Sequence, residues 1–490
     1  MKIAIAATEI APYAKTGGLA DVMGSLPKAL EKLGCEVKLF MPKYSLIDEN
    51  KYKLSYNSAI GEMPIRVDGH VRSVHVQTAK INGSNIEIYF IDCPHYFYRR
   101  HIYTMDPDED ERFILFCKAV LETLQRIGWA PDVIHCNDWQ TGLIPLFIKD
   151  NYNWDRMFDG VATLMSIHNI AYQGRFPKQS LFKAELKENL YYPEGPIEFH
   201  DSFSFLKTGI VFSEFISTVS ETYSHEILRS EYGLGMETVL LPRRNDLFGV
   251  LNGADYEHWN PSDDTHIPFH YSMKDLSNKI KNKEYLVKQT HLPFEEDKPL
   301  IGIVSRLVAQ KGFDLVAETI AELMALDAQW VILGSGEDKY EELFAALSRT
   351  VPQKVWAYIG FNNELAHLIE AGADLFLMPS RYEPCGLNQM YSLKYGTVPI
   401  VRKTGGLADT VQDWHEFIAK GEEIGDGFSF NDATGFALFT TIRRAIETYK
   451  DKATWNKIQL NGMKRDYSWT VSAKKYVALY EMAIKKRRGN

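Results

Sequence analysis

The chain has 490 residues, 45% of them apolar and 24% charged, with a formal charge of −9. That length excludes a single ordinary core and predicts two domains of roughly 200–250 residues each. The acidic balance argues against nucleic acid or an anionic membrane surface as the main partner, without excluding a small basic pocket.

Five scattered cysteines, Cys35, Cys93, Cys117, Cys136 and Cys385, form no C-x-x-C pair. They predict a reduced, cytoplasmic protein without a disulfide framework or a cysteine metal site. No apolar run approaches the ~18 residues of a membrane helix. Ile3–Ala7 is too short for a signal-peptide core, so the chain is expected to begin with its fold.

In chain order, Ile3, Ile5 and Ala7 predict a buried strand, and a Pro- and Gly-bearing loop follows. Leu19, Val22, Met23, Leu26, Leu30 and Leu33 recur at helical spacing until Gly34, with a kink or break expected at Pro27. Val37–Met41, Val133–Cys136, Ala162–Ile167 and Phe215–Val219 continue the strands, alternating with helical stretches. This alternation predicts a mostly parallel sheet covered on both faces. Around Asn252–Pro261 it breaks, and a hinge is expected there. From Leu300, "LIGIVSR", "QWVILG", "VWAYIG", "DLFLMPS" and "VPIVRK" read as five strands of a second doubly wound domain. The expected division is 1–254, 255–471 and a C-terminal helical segment, 472–490.

The heptapeptide "KTGGLAD" occurs twice, at Lys15–Asp21 and Lys403–Asp409, each time after a strand and opening onto a helix. Ligands of open α/β sheets bind at the carboxyl ends of strands. Paired glycines permit close backbone approach, a helix start favours anions, and a lysine adds a point charge for phosphate. The plain alternative for one copy is a tight turn with a solvated lysine. The repetition favours the ligand reading, in which each domain offers one such loop. Neither G-x-x-x-x-G-K-[ST] nor G-x-G-x-x-G occurs, which takes most of the weight from the kinase, P-loop and dinucleotide readings.

Other candidates also fall at strand ends. "SRLVAQKG" places Arg306 and Lys311 where they could grip a diphosphate. "EPCGLN" places Glu383 beside Cys385, Gly386 and Leu387 at a helix start, suited to sugar hydroxyls and phosphate together; a plain helix-start charge explains Glu383 alone equally well. "HCNDWQTG" and "SIHNIAYQG" supply Asp138 and His168. The aromatic run "HYFYRRHIY" could stack on sugar rings or pack under a loop. The D-x-D at Asp108–Asp110 could hold a divalent ion, but within "DPDEDE" a solvated charge run is the favoured reading.

Together with "SFLKTGI", "VLNGADYEHWNP" and "GDGFSF", these stretches resemble the bacterial glycogen synthases and plant starch synthases nearly end to end. The resemblance implies a GT-B fold, two Rossmann-like domains facing across a deep cleft, with the last helix crossing back to the first domain. It implies transfer of glucose from ADP-glucose to the non-reducing 4-OH of an α-1,4-glucan, with retained configuration and neither cofactor nor metal. No nucleic acid and no membrane partner is implied. By motif, Lys15, Gly17 and Gly18 would approach the donor phosphates, and Asp21 in the same motif would also bind substrate. Arg306 and Lys311 would neutralise the leaving diphosphate, and Glu383 would lie beside the donor glucose. Cys385, Gly386 and Leu387 would sit near phosphate, and Asp138, His168 and Asn252 would line the sugar subsite.

Departures are Gln140 where many members carry His, Asn388 where many carry Thr, and the form of the aromatic run. Tyr391 removes the E-x7-E of many other retaining GT-B enzymes. The competing readings are a glucosyltransferase using UDP-glucose or a short acceptor, and a non-catalytic glucan-binding module.

Overall fold

A computed structural model describes residues 1–489. Cα packing divides the chain into two compact units: Met1–Gly253 together with the segment from Trp469 onward, and Ala254–Ser468. Among the described residues, no helix is long and apolar enough to cross a membrane. All five cysteines are buried and unbridged.

The first unit holds strands β1 (Lys2–Ala6), β2 (Glu36–Pro42), β3 (Ser55–Tyr56), β4 (Met63–Val67), β5 (His70–Lys80), β6 (Glu87–Asp92) and β7 (Val133–Asn137). It continues with β8 (Ala162–Ile167), β9 (Arg175–Phe176), β10 (Glu198–Phe199), β11 (Ser202–Ser204), β12 (Phe215–Thr218) and β13 (Leu247–Gly249). The main sheet runs β13-β12-β8-β7-β1-β2-β6-β5-β3, with β4 on β5. It is parallel from β13 to β6, and β5 turns back antiparallel. The parallel strands are apolar runs because both faces are covered: β8 is buried at every residue. In contrast β4 alternates buried and exposed, as a one-sided strand should. Sequence periodicity did not place this antiparallel extension.

Helix Gly18–Lys32 continues through Pro27 without the expected break. Proline there removes one backbone hydrogen bond, at a cost of about 3 kcal/mol. Burial of Val22, Met23, Leu26, Pro27 and Leu30 on one face offsets it. Helix Trp469–Arg488 belongs to this unit and packs on helix Gly18–Lys32. Tyr480 from that helix bonds Nδ1 of the buried His135 at 2.8 Å.

The second unit contains β14 (Leu300–Leu307), β15 (Gln329–Gly336), β16 (Val355–Ile359), β17 (Leu375–Met378), β18 (Val398–Arg402) and β19 (Phe428–Phe430). Its sheet is parallel throughout, in the order β16-β15-β14-β17-β18-β19. That is the doubly wound 3-2-1-4-5-6 order. The sixth strand, inside "GDGFSF", was not among the five read from the sequence; three residues are too short for a periodicity signal.

Only the first half of the acidic run is solvated, with Asp106 exposed and Asp108 half-buried. Glu109, Asp110 and Glu111 are buried at the start of helix Glu109–Arg126. Glu109 pairs with the fully buried Arg112, and Lys183 pairs with Asp110 and Glu111. Three acids in a first helical turn favour the positive end of the helix dipole, and the cations supply the rest.

Candidate active site

In a doubly wound sheet the strand order reverses beside its first strand, and ligands bind in the crevice at the carboxyl ends there. In the second unit that point lies between β14 and β17. Arg306 lies near the end of β14, Lys311 in the turn that follows, and Glu383 in the loop after β17. The two loops are tied together. The Arg381 amide donates to the Gln310 carbonyl at 2.9 Å. Gly312 adopts φ +78°, and a Cβ there would lie 2.0 Å from the Pro379 carbonyl oxygen, so only glycine fits this approach. The result is an ion pair: Lys311 Nζ lies 2.5 Å from Glu383 Oε2, which also accepts from Ser380 Oγ at 2.9 Å. Glu383 is 6% exposed. Arg306 is exposed, and its guanidinium has no partner among the described residues.

Cys385, Gly386 and Leu387 form the remainder of the loop. Gly386 has φ +72°, and Leu387 caps helix Asn388–Lys394. The Asn388 side-chain amide donates to the Val304 carbonyl at 2.8 Å, tying that helix to β14. Phe361, just beyond β16, presents an 86% exposed ring after the carboxyl end of its strand. A lone aromatic carries no sequence signal, and the reading missed it.

The second heptapeptide lies behind this loop. A Cβ on Gly405 would fall 1.9 Å from the Glu383 carbonyl oxygen, and one on Gly406 2.1 Å from that of Cys385. The Gly406 amide donates to the Glu383 and Pro384 carbonyls, both at 3.2 Å. Its glycines are therefore buried supports for the Glu383 loop rather than an open turn, which corrects the reading of two equivalent loops. Lys403 pairs with Glu416 at 2.8 Å. In the first copy, no atom would come within 4 Å of a Cβ on Gly17 or Gly18. Lys15, 53% exposed, pairs with Asp21 at 2.6 Å.

In the first unit the reversal lies between β1 and β7. The first heptapeptide follows β1, Asp138 follows β7, and His168 follows β8. Asp138 sits at φ +56°, a conformation uncommon for a non-glycine residue. Its Oδ1 accepts from the His168 amide at 2.8 Å. Burial pushes its carboxyl up to about 7, although the His168 and Asn169 amides favour the charged form; the Glu9 charge raises it further. Burial pushes the His168 imidazole down to about 4. Its Nε2 lies 2.9 Å from Asn137 Oδ1. The Asn137 amide donates to the Ala6 and His135 carbonyls, so its oxygen faces the ring and Nε2 carries the proton. His168 is thus a neutral imidazole whose Nδ1 can accept a hydroxyl hydrogen bond. Asn252, after β13, is buried and its Oδ1 has no partner among the described residues.

The aromatic run mostly packs. Tyr96 and Phe97 are fully buried, and the Tyr96 hydroxyl donates to Glu111 at 2.7 Å. Arg99 is held by Asp106 and Asp108.

Two doubly wound units with charged and polar groups at each reversal point fit a GT-B glycosyltransferase, and the matches to known families place the chain in that class. Residues 287–455 match the family of glycosyl transferases group 1, and residues 2–241 match the starch synthase catalytic domain. The glycogen synthase of Desulforudis audaxviator is 44% identical over 99% of this chain and 97% of its own. That of Moorella thermoacetica is 43% identical over 100% and 98%. The chain belongs to the glycogen and starch synthase family and is a glucosyltransferase. The solved catalytic domain of starch synthase IV from Arabidopsis thaliana, bound to ADP and acarbose, superposes with a TM-score of 0.90 at 33% identity, covering 99% of each chain. Sucrose-phosphate synthase from Thermosynechococcus elongatus, at 16% identity and a TM-score of 0.57 over 98% of each chain, shares the fold alone.

Proposed function

We propose that this enzyme transfers glucose from ADP-glucose to the non-reducing 4-OH of an α-1,4-glucan, with retention at the anomeric carbon, in the cytoplasm and without a metal. The observation that carries this reading is the Lys311–Glu383 pair at the reversal point of the second sheet, with Arg306 unpartnered on the same strand end. Membership of the family and the ADP bound to the starch synthase IV relative support the donor.

Breaking the glycosyl–phosphate bond leaves positive charge on the sugar and negative charge on the diphosphate. Arg306 and Lys311 stabilise the departing diphosphate, Arg306 through its bidentate fork and Lys311 as a point charge. Lys15 and the open Gly17–Gly18 turn, through the Gly18 amide, also serve the phosphates, with Asp21 holding Lys15, and the amides of Gly386 and Leu387 beside Cys385 contribute a further set. Glu383 stabilises the glucosyl cation. Its carboxylate already binds Lys311 and Ser380, an arrangement suited to electrostatic support rather than nucleophilic attack. Asp138, His168 and Asn252 accept and orient sugar hydroxyls. The glucan hydroxyl then attacks from the face the diphosphate leaves.

The test is glucose transfer onto glycogen with ADP-glucose or UDP-glucose at matched concentrations and no added metal. Strong preference for ADP-glucose is expected. Preference for UDP-glucose overturns the donor assignment, and no transfer from either overturns the reaction. A glycosyl adduct trapped on Glu383 or Asp138 would overturn same-face attack.

A further inference from the structure

Glu9, just past the carboxyl end of β1, belongs to none of the motifs above. It is 4% exposed. Its Oε2 accepts from the amides of Thr16 at 2.5 Å and Gly17 at 3.1 Å. Its Oε1 accepts from Thr16 Oγ1 and from the Tyr103 hydroxyl, both at 2.7 Å. Tyr103 in turn lies 2.8 Å from Thr8 Oγ1. Glu9 has no ion-pair partner among the described residues. A buried carboxylate held by neutral donors alone is costly unless every lone pair is used, and here both oxygens are doubly engaged.

The segment it holds is the open glycine turn. Thr16 follows Lys15, and Gly17 is the N-cap of helix Gly18–Lys32, which receives no hydrogen bond from a capping side chain of its own. Glu9, eight residues upstream of the N-cap, therefore satisfies the N-cap amide as the carboxylate of a capping box does, with its charge at the favourable end of the helix dipole. Because it occupies the Thr16 and Gly17 amides, the first-turn amides left for a ligand begin at Gly18. No atom lies within 4 Å of where a Cβ on either glycine would be, so side-chain packing does not fix the turn.

We propose that Glu9 is a positioning residue of the transfer reaction: its buried carboxylate, itself held by Tyr103, sets the Lys15–Gly18 turn and so aims the Lys15 ammonium at the donor phosphates. This rests on the assignment of Lys15 in the proposed function.

The test measures KM for ADP-glucose and kcat for Glu9→Ala, Lys15→Ala, the double variant, Glu9→Gln and Tyr103→Phe. Glu9→Ala and Lys15→Ala should each raise KM by about tenfold, and the double variant should be no worse than the poorer single, because both remove one interaction. Glu9→Gln should recover most of the loss: its carbonyl can accept from both amides while its NH2 donates to the two hydroxyls. Tyr103→Phe, which leaves Glu9 and the core in place, should raise KM by roughly two- to fivefold in the wild type and not at all in the Lys15→Ala background. Effects of Glu9 and Lys15 that multiply overturn the proposal. So does an unchanged KM in Glu9→Ala, or in Tyr103→Phe if Glu9→Ala does not fold, while Lys15→Ala is impaired; the assignment of Lys15 then stands. An unchanged KM in Lys15→Ala overturns that assignment and the role of Glu9 together.

Discussion

The Lys311 ammonium touches the Glu383 carboxylate at 2.5 Å, although the two residues are 72 positions apart in the chain. The pair joins a cation suited to the leaving diphosphate with a carboxylate suited to the glucosyl cation. Lys311→Ala should weaken ADP binding by roughly 1.5–3 kcal/mol, the value of a charged hydrogen bond, as read by calorimetry. Glu383→Ala should lose most turnover with its unfolding temperature near that of the wild type. Unchanged affinity or wild-type turnover removes the residue concerned from the site.

The two heptapeptides respond differently to the same change. Gly17 has φ −152° and open space around its Cβ position, so Gly17→Ala should cost only the small N-cap preference for glycine over alanine and act mainly on donor binding. Gly406→Ala would place a methyl 2.1 Å from the Cys385 carbonyl oxygen. It should lower the unfolding temperature by several degrees and lower kcat by displacing the Glu383 loop. Equal melting temperatures for the two variants would contradict the packing role of the second copy.

Asp138 and His168 impose opposite pH dependences on stability. Between about pH 4 and 7 the folded chain keeps a proton on Asp138 that the unfolded chain has released, so this group lowers stability as pH rises. Between about pH 4 and 6.5 the unfolded chain protonates His168 while the folded chain does not, so that group raises stability as pH rises. Asp138→Asn should therefore gain on the wild type progressively from pH 4 to 7. His168→Gln should gain on it only below about pH 6.5. Thermal melts across this range check both, and stability gaps that do not vary with pH would refute the assignments.

Chelator should leave the rate unchanged. Both carboxylates of the D-x-D are engaged by protein groups: Asp108 takes two bonds from Arg99, and Asp110 bonds Ser180 and Lys183. Inhibition by EDTA that Mg²⁺ reverses would reopen this pair as a metal site.

Local pattern in the sequence already contained the α/β class and the placement of candidate groups at strand ends. Buried parallel strands and amphipathic helices have distinct periods, and the motifs of this family keep their order along the chain. The order of strands within each sheet was not legible, because it depends on pairing between segments far apart, which no local period encodes. That order puts the reversal points between β1 and β7 and between β14 and β17. It thereby brings Lys311 onto Glu383 and sets Asp138 beside the first glycine turn's strand, with His168 one strand further along. Identical heptapeptides likewise acquired different work. The glycines of one face open space and those of the other bear on the Glu383 loop, a difference made entirely by what the fold packs against them. Glu9 had no motif to announce it. Its role exists only because Thr16, Gly17 and, from 94 residues away, Tyr103 converge on one buried carboxylate that needs every donor it has.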